Sequence, residues 1–194
     1  MRTSQIQRET KETQIGVTVN LDGTGEALVD TGIGFLDHML TLLSRMAFID
    51  LTLKAKGDLK VDAHHTIEDV GIVLGKGINR AAGERSGITR YGSALVPMDE
   101  ALVQVVLDLS NRPFLAWDVP LPSGEVGEFP LEMAEEFLRA LVFNAGITLH
   151  VRLLSGKNSH HILEAVFKAL GRALAEALAL DPRIQGVHST KGVL

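Results

Sequence analysis

From Thr13 onward apolar and polar residues alternate. Ile15, Val17, Val19 and Leu21 fall on one side, with Gln14, Gly16, Thr18 and Asn20 on the other. That period of two is what a half-buried strand requires. Beyond Gly23 and Gly25, the short stretch Ala27-Leu28-Val29 reads as its hairpin partner. The period then changes: Phe35, Leu36, Met39, Leu40, Leu43 and Met46 recur at three- and four-residue spacing, predicting an amphipathic helix. A second alternation, Ile49, Leu51, Leu53 and Ala55, predicts a strand. Asp62 stands as the N-cap of a helix running through His64 and His65 to about Ala82, and a Gly- and Arg-bearing loop over 83–92 closes this half.

The order then repeats. Alternating segments around Ala101 to Leu109 and Phe114 to Val119 predict strands, and a Pro/Gly-rich loop spans Pro120 to Pro130. Met133, Phe137, Leu138, Leu141 and Val142 mark a helix, and Ile147, Leu149, Val151 and Leu153 a strand. After the turn Ser155-Gly156-Lys157-Asn158 a long helix reaches about Leu180. Both halves read strand, strand, helix, strand, helix, and His64, His65 and Glu68 map onto His160, His161 and Glu164 with a constant offset of 96. Such self-similarity points to internal duplication and an α/β (α+β) fold, divided into a first repeat half, 1–92, and a second, 93–194, ending in a C-terminal tail.

Composition narrows the chemistry. A sequence of 194 residues with 45% hydrophobic content is able to bury a substantial core. It has no cysteine, so disulfides and thiolate ligands are excluded and any metal must be held by nitrogen and oxygen. The formal charge of −5 argues against a surface that coats nucleic acid. No apolar run suits a membrane span, and Arg2, Gln5, Gln7, Arg8 and Glu9 interrupt the N-terminus where a signal peptide would be apolar. The expectation is a soluble cytoplasmic protein without a membrane or nucleic-acid partner.

Of the seven histidines, four lie in the two His-His-x-x-Glu repeats, each at the first turn of a predicted helix. Neighbouring helix positions diverge by about 100°, whereas the Glu lies about 40° from the first His and about 60° from the second. Adjacent imidazoles therefore favour different ions, and each repeat offers one ring to each of two metals. His38 and His150 join this set, giving six His and two Glu. Shared between two ions, that leaves open positions on an octahedral metal, which suits Mn(II) better than a closed structural zinc. Asp37 and Asp69, next to ligand candidates, are candidates to orient an imidazole N–H. His188 has no repeat partner and stays outside the set.

Four segments carry a resemblance. Gly34-Phe35-Leu36-Asp37-His38-Met39-Leu40, the run Asp62 to Gly71 around the first repeat, Ser155 to Glu164 around the second, and Ser189-Thr190-Lys191-Gly192 resemble the imidazoleglycerol-phosphate dehydratase family over essentially the whole sequence. The resemblance implies a monofunctional form, a ribosomal protein S5 domain 2-like fold with helices on one face of each sheet, and two Mn(II) per active site. It implies dehydration of imidazole glycerol phosphate to imidazole acetol phosphate in histidine biosynthesis. Its metal ligands fall on His38, His64, His65, Glu68, His150, His160, His161 and Glu164, the eight already counted. It also implies a large octahedral homo-oligomer, a 24-mer, with active sites between subunits.

The reaction needs a proton lost beside an imidazole ring, and two metals on the ring nitrogens would make it an imidazolate able to expel the hydroxyl. The resemblance points to Glu12 as the substrate-contacting carboxylate and base. Cationic and hydroxyl donors for the phosphate are Arg90, Arg112, Lys168, Ser189 and Lys191, with Lys168 on the helix face of Glu164. The same ligand count and phosphate clamp would serve a two-metal hydrolase, which the residues alone leave open. An RNA-binding module is the other rival, opposed by the acidic balance.

Overall fold

The computed structural model describes Met1 to Leu194. The first half comprises β1 (Thr3–Glu9), β2 (Thr13–Asn20), β3 (Ala27–Asp30), α1 (Gly34–Ala47), β4 (Asp50–Gly57) and α2 (His64–Ala82). The second comprises β5 (Tyr91–Met98), β6 (Ala101–Asp108), β7 (Phe114–Asp118), the small hairpin β8 (Glu125–Val126) and β9 (Phe129–Pro130), α3 (Met133–Ala145), β10 (Thr148–Ser155) and α4 (Ser159–Leu178). The two main sheets have the same order, β1-β2-β4-β3 and β5-β6-β10-β7. Each has one strand parallel to its neighbour, β3 on β4 and β7 on β10, and is otherwise antiparallel. No helix is long and apolar enough to cross a membrane.

The alternation in β2 sends Ile15, Val17 and Val19 inward, and β6 does the same with Val103, Val105 and Leu107. Helices cover that inner face in each half and then meet across the halves, α1 on α4 and α2 on α3, in a sheet–helix–helix–sheet sandwich with one continuous apolar core. The crossings are close because glycine allows it. A Cβ on Gly75 would lie 2.5 Å from the Leu141 carbonyl oxygen, and one on Gly171 would lie 2.7 Å from that of Leu43. These contacts are pseudo-symmetric, so α1 corresponds to α3 with an offset of 98 and α2 to α4 with one of 96.

Three sequence expectations are corrected. Each half gains a leading strand, β1 and β5, that the apolar pattern did not show. Their inner faces are only partly apolar: beside Ile6, Val96 and Met98 they carry Ser4, which donates to the Gly77 carbonyl at 2.7 Å, and Gly92, on which a Cβ would strike the Ala173 carbonyl oxygen. The stretch Ala27–Asp30 is no hairpin partner of β2, since β1 and β4 occupy both edges of that strand; it adds in parallel to β4 through the α1 crossover. Finally, α2 starts at His64 with Ala63 at the cap position, although the Asp62 carboxylate still accepts the His64 backbone N–H at 2.9 Å. The long last helix ends at Leu178, followed by a turn-rich tail.

Candidate active site

In α4, the Asn158 amide oxygen accepts the backbone N–H groups of His160 and His161, which fixes both histidines in the first turn. Glu164 lies one turn on, facing His160 at 3.2 Å, and from the crossing helix α1 His38 Nε2 approaches the same carboxylate oxygen at 2.8 Å. His38, His160 and Glu164 form the one group of three or more ligand-type side chains whose donor atoms converge, all within 4.8 Å of one another. The edge of Phe35 packs on His160 with ring centroids 5.1 Å apart. Burial pushes the Glu164 carboxyl up, but Lys168, His38 and His160 together outweigh it and hold the group at about 2. Two imidazole nitrogens and an ionised carboxylate are a donor set that fits a divalent metal.

The equivalent place in the first half is looser. His64 Nε2 and Glu68 are 3.7 Å apart and both side chains are about half exposed, at 48% and 47%. The offsets put Glu136 at the position of His38 and Ile72 at that of Lys168. His64 and Glu136 line a common cavity of about 970 Å³.

The second imidazole of each pair is held from the side by a carboxylate. His65 Nδ1 lies 3.0 Å from Asp58, and His161 Nδ1 lies 2.7 Å from Glu100. These contacts raise both imidazoles above the usual range, through Asp58 first for His65 and Glu100 first for His161. Glu100, which also accepts the backbone N–H groups of Asn158 and Lys157, is held at about 2, chiefly by His161. Asp37 and Asp69, expected as orienting carboxylates, do other work. Asp37 takes the Thr31 backbone N–H and hydroxyl, closing the turn before α1. Buried Asp69 accepts from Arg8 and Thr13 and ties the β1–β2 hairpin to α2. The sequence reading missed Asp58 and Glu100. For Glu100 a signal existed: β5–β6 repeats the register of β1–β2 with an offset of 88, which places Glu100 on Glu12.

Four of the five expected phosphate residues, Arg90, Arg112, Ser189 and Lys191, line one cavity of about 830 Å³ together with Arg183 and His188. Arg90 is buried and aimed by Asp108, which receives its Nε at 2.7 Å and Nη2 at 3.0 Å. Its Nη1 donates to the His188 carbonyl at 2.8 Å, which pins the tail over the cavity. Arg112 is exposed and lies 3.5 Å from the same carboxylate. Lys168 is elsewhere, donating to Glu164 at 2.6 Å and lying 3.2 Å from the Met98 sulfur. Glu12 lines a smaller cavity of about 290 Å³ with Lys56 and Asp58, its carboxylate 3.9 Å from His65 Nδ1. His150 is on the outer face of the second sheet, away from the helices, beside Val106, Ala116 and Arg152. A single protomer therefore does not bring the eight expected ligands together.

Fold and site together define a duplicated α+β enzyme with a candidate His/Glu metal centre. Residues 31–174 match the sequence model of imidazoleglycerol-phosphate dehydratase. The imidazoleglycerol-phosphate dehydratase of Desulfitobacterium hafniense is 66% identical over 194 residues, covering 100% of this chain and 99% of that protein. That of Thermoanaerobacter pseudethanolicus is 57% identical, with 100% of both covered. Among solved structures, the Staphylococcus aureus enzyme superposes with a TM-score of 0.84 at 40% identity, covering 92% of this chain and 99% of that one. The Pyrococcus furiosus enzyme, solved in complex with (S)-C348, gives 0.84 at 40%, covering 97% and 100%. The chain belongs to the imidazoleglycerol-phosphate dehydratase family, and with it to the hydro-lyases.

Proposed function

We propose that this protein dehydrates D-erythro-imidazole glycerol phosphate to imidazole acetol phosphate in histidine biosynthesis. The observation that carries this reading is the pairing of the His38–His160–Glu164 group with a separate cationic cavity bearing Arg90, Arg112, Ser189 and Lys191. The first suits a metal-bound imidazole and the second a phosphate. His38, His64, His65, Glu68, His150, His160, His161 and Glu164 would hold two Mn(II) ions, which when bound supply Lewis acidity at the ring nitrogens and favour an imidazolate. Arg112, Ser189 and Lys191 hold the phosphate beside Arg90, and Glu12 takes the C–H proton from the glycerol arm of the substrate; that proton and the departing hydroxide make the water released, and the enol left behind tautomerises to the ketone.

The position of His150 on the outer sheet face and the openness of His64 and Glu68 support a site completed by residues of further subunits. Lys168 then serves a phosphate bound at a neighbouring subunit. The proposal includes the large homo-oligomer, a 24-mer, with sites between subunits. A Mn(II)-loaded preparation incubated with imidazole glycerol phosphate is expected to yield the ketone product with no inorganic phosphate. Phosphate release without that ketone would overturn the dehydratase reading in favour of a hydrolase.

A further inference from the structure

The two halves repeat their metal-facing helices and their leading hairpins, yet use the hairpin carboxylate differently. Pairing of β1 with β2 matches that of β5 with β6 at an offset of 88, from Thr3↔Asn20 and Tyr91↔Asp108 to Glu9↔Gln14 and Pro97↔Leu102. Glu12 and Glu100 therefore sit at the same hairpin position, each beside the second histidine of its helix. Glu100 contacts His161 Nδ1 at 2.7 Å, but Glu12 stops 3.9 Å from His65 Nδ1, and it is Asp58 that reaches that nitrogen, at 3.0 Å. The reason is local. Gly57 and Gly156 are equivalent, each lying against the matching helix residue, Thr66 and Ile162; the next residue is Asp58 in one half and Lys157 in the other. With no carboxylate after Gly156, only the hairpin can reach His161.

Resting on the metal-site reading above, we infer that Glu100 and Asp58 are the positioning residues for His161 and His65, and that Asp58 thereby leaves Glu12 free to meet substrate. An imidazole whose Nδ1–H donates to a carboxylate keeps Nε2 unprotonated and fixed in direction, the form a metal requires. Glu100 does this with a divided carboxylate: Oε1 accepts the backbone N–H groups of Asn158 and Lys157, and Oε2 takes His161 Nδ1. In Glu100→Gln the amide oxygen stays on the two backbone donors and the NH₂ faces His161. A donor there forces the ring proton to Nε2 and blocks the ligand atom, while the fold keeps its contacts.

The test titrates Mn(II) alone into metal-free full-length protein, following free Mn(II) by EPR, and records ring ¹⁵N shifts of the metal-free protein labelled at histidine. Glu100→Gln is expected to weaken Mn(II) binding about 10–100-fold and to move His161 to the Nε2–H tautomer, at an unchanged melting temperature of the metal-free protein. Asp58→Ala should weaken binding similarly, and Glu12→Gln should bind as the parent does. Parent-like binding and an Nδ1–H His161 in Glu100→Gln, beside defective binding in His161→Ala, overturn this inference alone. Parent-like binding in His161→Ala overturns the metal-site reading and the inference with it.

Discussion

Two helix N-termini related by the internal duplication differ in how finished they are. At the start of α4, Glu164 is nearly buried and receives His38, His160 and Lys168, so charge and hydrogen bonds are satisfied inside one protomer. At the start of α2, Glu68 is half exposed with His64 3.7 Å away, Glu136 stands in place of His38, and Ile72 in place of Lys168. The scaffold kept its symmetry, down to Gly75 and Gly171 at matching crossings, while the two sites diverged. Duplication supplies two equivalent backbones, and the side chains on them are free to divide the labour of one site.

The most severe way to break this comparison is to remove the carboxylate from each side. Glu164→Ala is expected to abolish Mn(II)-dependent turnover and to destabilise the metal-free protein by about 1–3 kcal/mol, because Lys168 and His38 lose their common partner. Glu68→Ala should abolish turnover equally but leave metal-free stability within about 0.5 kcal/mol, as for an exposed residue. Denaturant melts of metal-free protein beside activity assays separate the two. Equal stability losses would erase the asymmetry.

The scaffold should behave in the opposite way. Gly75→Ala and Gly171→Ala both drive a Cβ against a carbonyl oxygen of the facing helix, and each is expected to cost about 1–3 kcal/mol in the same melts. A marked difference between them would mean that the crossings are less equivalent than their geometry. In the cationic cavity, Arg112→Ala should raise KM about tenfold or more with metal content intact, since its exposed guanidinium is proposed to donate to the phosphate and its contacts to Asp108 and the Ser110 carbonyl are long, at 3.5 and 3.3 Å. Arg90→Ala should also loosen the tail, seen as faster amide exchange around His188.

The smallest effect is that of pH. His65 and His161 are raised above the ordinary value of 6.5 by Asp58 and Glu100. A raised imidazole stabilises the metal-free fold below its unfolded-state value, and that contribution disappears as pH rises through the raised one. At the proposed metal site Mn(II) would have to displace the same protons, so its affinity should climb between about pH 6 and 8 while metal-free stability falls slightly. Mn(II) titrations and melts across that range check both slopes.

Legibility in the sequence followed the kind of information each feature requires. The repeated His-His-x-x-Glu was readable as a helix-start motif because helix geometry restricts its spacing; His160 and Lys168 both meet Glu164 as their four-residue separations predict. The inward alternation of β2, β4, β6 and β10 was readable because these central strands bury a full apolar face. The leading strands were not, since Ser4 spends its inward position on a hydrogen bond to helix backbone and Gly92 faces a carbonyl that leaves no room for a Cβ. The parallel placement of β3 depends on which sheet edges remain free, a tertiary fact. Asp58 and Glu100 escaped notice because an orienting carboxylate is defined by reach, not by motif; of the acids nearer in sequence, Asp37 closes a turn and Asp69 ties the β1–β2 hairpin to α2.

The proposed arrangement joins the closed and open ends of this protomer into sites completed between copies. Its most direct measurement is co-assembly of His64→Ala subunits with His160→Ala subunits, each inactive alone. If first-half and second-half ligands of one site come from different subunits, the mixed assembly contains sites with both intact, and Mn(II)-dependent dehydration returns. Activity no higher than that of either variant alone would contradict the account.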